Sequence, residues 1–180
     1  MDSPALMTAN DLLRLKIPDK RAELIEGRLV VRKLAGFRHG EVAAALGVEI
    51  ASFVRSYDLG HVLAAASGFQ LTSNPDTVRA PDVAFVQKRR VPDPLPAGYP
   101  ALAPDLAVEV LGPDDRPGEV LAKVAAWLRA GTRLVWVIDP DRRQARVYRE
   151  DGSESIVRET ETLEGEEVLP GFECPLAEVF

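Results

Sequence analysis

The stretch APDLAVEVLGPDDRPGEVLAKVAAWLRAGTRLVWVIDP, residues 103–140, decides the fold. Its opening run, 105–111, is apolar apart from Asp105 and Glu109, as a strand buried on both faces reads. Residues 112–116 are turn formers, and Pro117 suits the first turn of a helix. That helix is expected to run to Ala130, with Gly131 just past its C-terminus. RLVWVID then reads as a second buried strand. A strand, a helix and a return strand make one crossover unit, which requires the two strands to be parallel.

Working outward, the upstream chain reads as a helix and a set of hairpins. Thr8 and Asp11 form a capping box for a short helix through Leu15. AELIEGRLVVRKL, with Gly27 between two alternating runs, predicts a β-hairpin. Residues 39–57 carry apolar side chains at Ala43, Leu46, Ile50, Phe53 and Val54, the stripe of a long helix. Short strands are expected from His61, Gly68 and Val78, followed by a proline-rich loop over 91–104. Downstream, ARVYRE is a strand, and the remaining residues predict one hairpin, a Pro170-Gly171 turn and a terminal segment. The fold class is mixed α/β, with a mixed sheet in one domain of 180 residues. The core is expected over about 20–148, with 150–180 as an acidic C-terminal extension.

The formal charge of −6 is unevenly spread. Residues 150–180 hold ten acids and one base, so the first 149 residues are net positive. A polyanionic partner is therefore compatible with the chain. One cysteine, Cys174, excludes a disulfide framework and a cysteine-rich zinc site. No run is long and apolar enough for a membrane span. The first residues, MDSPALMTANDLL, carry acids where a secretory leader carries bases. The expectation is a cytoplasmic protein without a membrane contact. No GxGxxG, GxxxxGK[ST], GxSxG or HExxH motif occurs, so those nucleotide-binding and hydrolase modes lack support.

Four residues break the local pattern. Asp82 heads the apolar strand DVAFV; its plain reading is a strand-start carboxylate taking a backbone N–H. Glu109 shares one strand face with Asp105, Ala107 and Leu111, and a charge there needs a partner or a metal. Lys123 falls at the edge of the helical stripe of Val120, Val124, Trp127 and Leu128. Its plain reading is a stem laid over Trp127 with the ammonium in water. His39 opens the stripe of the first long helix, as packing and capping histidines also do. Two carboxylates on successive strands, with a lysine on the helix behind them, suit a hard cation such as Mg²⁺. They outline metal-assisted phosphodiester hydrolysis.

At these positions the sequence resembles the Uma-two-type family of restriction-endonuclease-like proteins in the PD-(D/E)xK nuclease superfamily. The matching pieces are AELIEGRLV at 22–30, His39, RAPDVAFV at 79–86, APDLAVEVLGP at 103–113, Lys123 with Trp127, and AGTRLVWVIDP at 130–140. The resemblance implies an αβββαβ nuclease core, an N-terminal helix and hairpin, and extra C-terminal strands. It matches Asp82 to the first acid and Glu109 to the second, both holding Mg²⁺ or Mn²⁺, with the Val110 carbonyl as a third ligand. The superfamily lysine would stand at 111, where this chain has Leu111. Lys123, on the following helix, takes its place as the group that positions the attacking water. Gly112 stands where a serine is common. Glu23 and His39 are expected as supporting catalytic residues, DNA as the substrate, and a homodimer as the assembly. The alternative is a nuclease fold that binds without cleaving.

Overall fold

The computed structural model describes residues 6–18 and 20–180. The reading of the extreme N-terminus as leaderless rests in part on residues 1–5, which lie outside them.

The crossover unit forms as the sequence predicts. Strand β7 (Leu106–Val110) and strand β8 (Leu134–Asp139) are parallel, with Leu106 beside Leu134 and Val110 beside Ile138. Both are buried at every position, which explains why neither shows polar alternation. Between them runs helix α3 (Pro117–Arg129), capped at Ala130 and stopped by Gly131, whose φ of +101° favours glycine.

Around that unit stands one mixed six-stranded sheet. It adds β3 (Gly60–Ala64), β6 (Val83–Gln87), β9 (Gln144–Arg149) and β10 (Glu154–Arg158), in the order β10-β9-β8-β7-β6-β3. Helix α2 (Phe37–Ser56) covers one face through Val42, Leu46, Ile50 and Val54, packed with Val83, Phe85, Leu106 and Val108. At about 1.5–3 kcal/mol for each large apolar side chain removed from water, these four residues anchor it. Helix α3 covers the other face, setting Val124 and Trp127 on Ala84, Ala107, Val135 and Val137. The sequence α2, β3, β6, β7, α3, β8 is the expected αβββαβ core with its mixed sheet.

Two expectations are corrected in detail. Helix α2 starts at Phe37, two residues before His39, because Gly36 takes the N-cap position. The β-rich stretch from Val78 is two strands in two sheets. Its first part, β5 (Thr77–Arg79), joins a four-stranded sheet of order β2-β1-β5-β4, where β1 is Lys20–Ile25, β2 is Arg28–Lys33 and β4 is Phe69–Thr72. Its second part is β6. Pro81, which has no N–H for a ladder, lies at the break. Helix α1 (Ala9–Arg14), opened by the Thr8–Asp11 capping box, closes the small sheet with Ala9 and Leu12 against Leu24 and Val78.

The acidic C-terminal segment joins the α2 side of the core. Strands β11 (Thr162–Glu164) and β12 (Glu173–Pro175) pair with each other. Leu163, Leu169, Phe172 and Leu176 are all buried in the α2-side cluster, and Phe172 stacks on Trp136 with ring centroids 5.9 Å apart. Among the described residues no helix is long and apolar enough to cross a membrane.

Candidate active site

The register between β6 and β7 sets the two acids. Val83 stands opposite Val108 and Ala84 opposite Ala107. One step further that register puts Asp82 across from Glu109. Ala84 and Ala107 pack on the α3 side of the sheet, so the period of two turns Asp82 and Glu109 to that side as well. Directly opposed residues hold their Cβ atoms about 4.5–5.5 Å apart. Both residues are buried, at 5% and 8% exposure.

Asp82 is held from three directions. Arg21 on β1 donates to its Oδ1 at 3.0 Å, His39 Nε2 lies 3.1 Å from the same oxygen, and the Val110 N–H donates to Oδ2 at 2.8 Å. Burial is the largest single influence and pushes this carboxyl up, but the His39 hydrogen bond and charge, the Val110 N–H and Arg21 together hold Asp82 at about 2. The N–H and the C=O of a strand residue point toward the same neighbour. The Val110 carbonyl is thus on the Asp82 side of β7.

Glu109 is arranged differently. Lys123 donates to its Oε2 and the Trp127 indole N–H to its Oε1, each at 2.8 Å. Burial is the largest influence and raises the carboxyl; Lys123 opposes it, while Asp82 and Glu23 raise it further. The group is pushed up to about 7. Two carboxyls of one site are thereby driven to opposite ends of the acid range, a division of environment that marks sites of chemistry.

Lys123 is the hub. Its ammonium also donates to the Ala80 carbonyl at 3.1 Å and lies 3.3 Å from Glu23 Oε1. The side chain is only 14% exposed, so the reading of a stem over Trp127 with its charge in water is wrong. The helix rotates that edge of its stripe inward, over the strands. Burial lowers this amine, and the surrounding acids Glu109, Glu23 and Asp82 more than reverse it. It is a charged ammonium.

Glu23 closes the far side from β1. It accepts the Ala80 N–H at 3.0 Å and pairs with Arg79 at 3.3 Å. Burial pushes its carboxyl up, but Lys123, the Ala80 N–H, Arg79 and Arg32 bring it below the ordinary range. All five candidate catalytic residues, Asp82, Glu109, Lys123, His39 and Glu23, therefore meet in one cluster at the crease between the two sheets.

Residues 9–177 match the sequence model of the Uma2 family, described as "Putative restriction endonuclease". The chain belongs to the Uma2 family. No protein of curated function matches it. Among solved structures it is similar to the crystal structure of "a putative nuclease belonging to DUF820 from Anabaena variabilis ATCC 29413". That likeness has a TM-score of 0.84 at 21% identity over 97% of each chain, and it is a likeness of fold.

In this Uma2 protein the position two residues after Glu109 is Leu111, packed at the edge of the α3-side cluster. The charge on Glu109 comes instead from α3. Three partners were given no role by the sequence reading: Arg21, Arg79 and the Trp127 indole. Arg21 and Glu23 stand two apart on β1, so the strand period already puts them on one face. What sequence pattern lacks is which sheet that hairpin joins. Among the described residues no three His, Cys, Asp or Glu side chains gather as a ready-made cation cage. A cation bound here would take Asp82, Glu109 and the Val110 carbonyl, an all-oxygen set of the kind Mg²⁺ completes with water. Each carboxylate oxygen has two acceptor positions, so donors already in place leave capacity on both acids.

Proposed function

We propose that this Uma2 protein is a Mg²⁺-dependent endonuclease that hydrolyses phosphodiester bonds in DNA. The observation that carries the reading is the Lys123 ammonium at 2.8 Å from Glu109, which shares a sheet face with Asp82. Asp82 and Glu109, with the Val110 carbonyl, would hold Mg²⁺ or Mn²⁺. Bound there, the cation supplies Lewis-acid polarisation of the phosphate and a more acidic water. Lys123 then keeps a fixed positive charge beside the water oxygen that attacks phosphorus and the charge that grows on the phosphate oxygens. The P–O bond to the leaving nucleoside oxygen breaks as the bond to the water oxygen forms, and the proton released by the water passes through solvent to the departing oxygen. His39 and Arg21 fix the Asp82 carboxylate, and Glu23 fixes the ammonium. Cutting both strands of a duplex takes two such sites, so the working assembly is a homodimer.

The test is cleavage of supercoiled, linear, branched and single-stranded DNA in Mg²⁺ or Mn²⁺. Wild-type cleavage lost in Asp82→Asn and Glu109→Gln supports the reading. No cleavage of any substrate overturns it. One observation favours a second reading, a nuclease fold that binds without cutting: both acids already face fixed cations, Asp82 with Arg21 and Glu109 with Lys123. Calorimetric titration separates the two, because the binding-only form shows no Mn²⁺ affinity that depends on Glu109.

A further inference from the structure

The six-stranded sheet ends on one side at β3, and that edge is open. The Lys88 N–H donates to the Leu59 carbonyl at 2.8 Å, one step beyond the Gly60–Gln87 pair. Antiparallel neighbours alternate between hydrogen-bonded and non-bonded pairs. His61 and Leu63 therefore turn their backbone groups to Val86 and Ala84, while Gly60, Val62 and Ala64 point theirs away from the sheet. Among the described residues only the Ser67 N–H reaches one of these outward groups, the Ala64 carbonyl, at 3.3 Å. A carbonyl has a second acceptor position, so that oxygen keeps capacity.

Open edges are commonly blunted by charge, proline, brevity or a bulge. The other edges of the two sheets follow this rule. Strand β10 carries Glu154 and Arg158, β2 carries Arg28, Arg32 and Lys33, and β4 is four residues long with an irregular register between Gln70 and Thr72. Strand β3, Gly-His-Val-Leu-Ala, has no Lys, Arg, Asp, Glu or Pro. Beside it lies an apolar cavity of about 270 Å³, walled by His61, Leu63, Val86, Val91, Leu95 and Leu102, with Leu95 67% exposed.

This edge is complementary to itself. Turned about a two-fold axis through Val62, perpendicular to the sheet, a second β3 runs antiparallel to the first and keeps each side chain on its own side. Val62 then faces Val62 and Gly60 faces Ala64, and these are the residues whose N–H and C=O groups point outward. Each outward donor meets an outward acceptor. Between them His61 faces Leu63, so no like charges oppose one another.

We propose that two copies of this chain join along β3, edge to edge, into one continuous sheet. The inference rests on the homodimer of the proposed function and names the surface that joins its copies. Because the axis is perpendicular to the sheet, Asp82 and Glu109 of both copies turn to the same side. At about 3.3 Å per residue and about 4.8 Å per strand, the two Asp82 residues lie about 25 Å apart. Both centres are then offered to one duplex.

The experiment is sedimentation equilibrium over a concentration series, without nucleic acid or divalent cation, on the wild type and three proline variants. Val62→Pro and Ala64→Pro each remove an outward N–H that β6 does not use, a place where edge strands tolerate proline. Ile156→Pro is the control. By the same alternation, counted from the Arg149 N–H on the Ser153 carbonyl, the Ile156 N–H points outward from β10, the opposite edge. The wild type and Ile156→Pro are expected to reach twice the chain mass. In Val62→Pro and Ala64→Pro the dimer dissociation constant is expected to rise about tenfold or more, since symmetry removes two hydrogen bonds at once. Far-ultraviolet circular dichroism melting checks that each variant is folded; should Val62→Pro unfold, Ala64→Pro, at an exposed position, carries the test. A wild type that stays monomeric overturns the shared edge and the homodimer, while cleavage by a single site stands or falls on the DNA assay. Unchanged affinity in Ala64→Pro, or equal weakening in Ile156→Pro, overturns the β3 edge and leaves both the homodimer and the nuclease reading intact.

Discussion

Lys123 and Glu109 each depend on the other. Removing the ammonium leaves Glu109 and Glu23 facing each other with one fewer cation, and breaking a buried pair costs about 3–5 kcal/mol. Glu109 already titrates near 7 with Lys123 beside it. Without that ammonium its carboxyl rises further above its unfolded value. A group raised in this way adds stability below the unfolded value and loses it as pH rises through the folded one. Lys123→Ala is therefore expected to unfold at a lower urea midpoint than the wild type, with a gap that widens from pH 5.5 to pH 8. A gap independent of pH would contradict the pairing. In the same variant, cleavage is expected to fall by about 10²-fold or more, as when one preorganised charge is removed from a site. Lys123→Arg is expected to restore little, because a planar guanidinium does not fit the place of a compact ammonium.

The opposite settings of the two acids give a second expectation. Asp82, held at about 2, contributes stability above its unfolded value and loses it only as pH falls through that low value. Glu109 behaves in reverse, losing its contribution as pH climbs through about 7. A cation on these residues displaces the Glu109 proton, so Mg²⁺ protection against thermal unfolding is expected to be larger at pH 8 than at pH 6. The melting shift on adding MgCl₂ measures it. A shift of one size at both pH values would remove Glu109 from the cation site.

At the scale of elements, the crossover unit was legible because continuous apolar strands and an amphipathic helix leave few alternatives. The face of β7 that carries Glu109 followed from the strand period of two, whereas the side taken by Asp82 is set by the pairing of β6 with β7. The direction of Lys123 was not legible, since a residue at the margin of a helical stripe can turn to water or inward. Only packing of α3 on the sheet decides it. The separation of β5 from β6 escaped for a different reason: a three-residue strand is shorter than any periodic signal. Gly60 shows a similar local demand at the far edge. With φ +153°, a Cβ there would meet the Val86 carbonyl oxygen at 2.1 Å and the Lys88 nitrogen at 2.7 Å. Gly60→Ala is expected to cost about 2 kcal/mol or more, read as a lower urea midpoint at unchanged slope. An unchanged midpoint would mean that β3 pairs with β6 less tightly than its register shows.

Over the whole molecule, acidic composition concealed structural residues in the C-terminal segment. Its acids point outward while Leu163, Leu169, Phe172 and Leu176 fill the core beneath α2. Truncation after residue 160 is expected to expose Trp136 and Ile50 and abolish cooperative unfolding, as followed by near-ultraviolet circular dichroism. A truncated chain that still melts sharply would make the segment an accessory. The break at Pro81 has a consequence of another kind. The residues assigned to cutting, Asp82, Glu109 and Lys123, belong to the large sheet and its helix, while Arg21 and Glu23, which hold two of them in place, belong to the small one. The hairpin's inward positions are therefore tied to the site, and a lineage is free to vary only the positions on its other face that fill no core. Descendants of one core would then keep Arg21 and Glu23 while Lys20 and Lys33 drift.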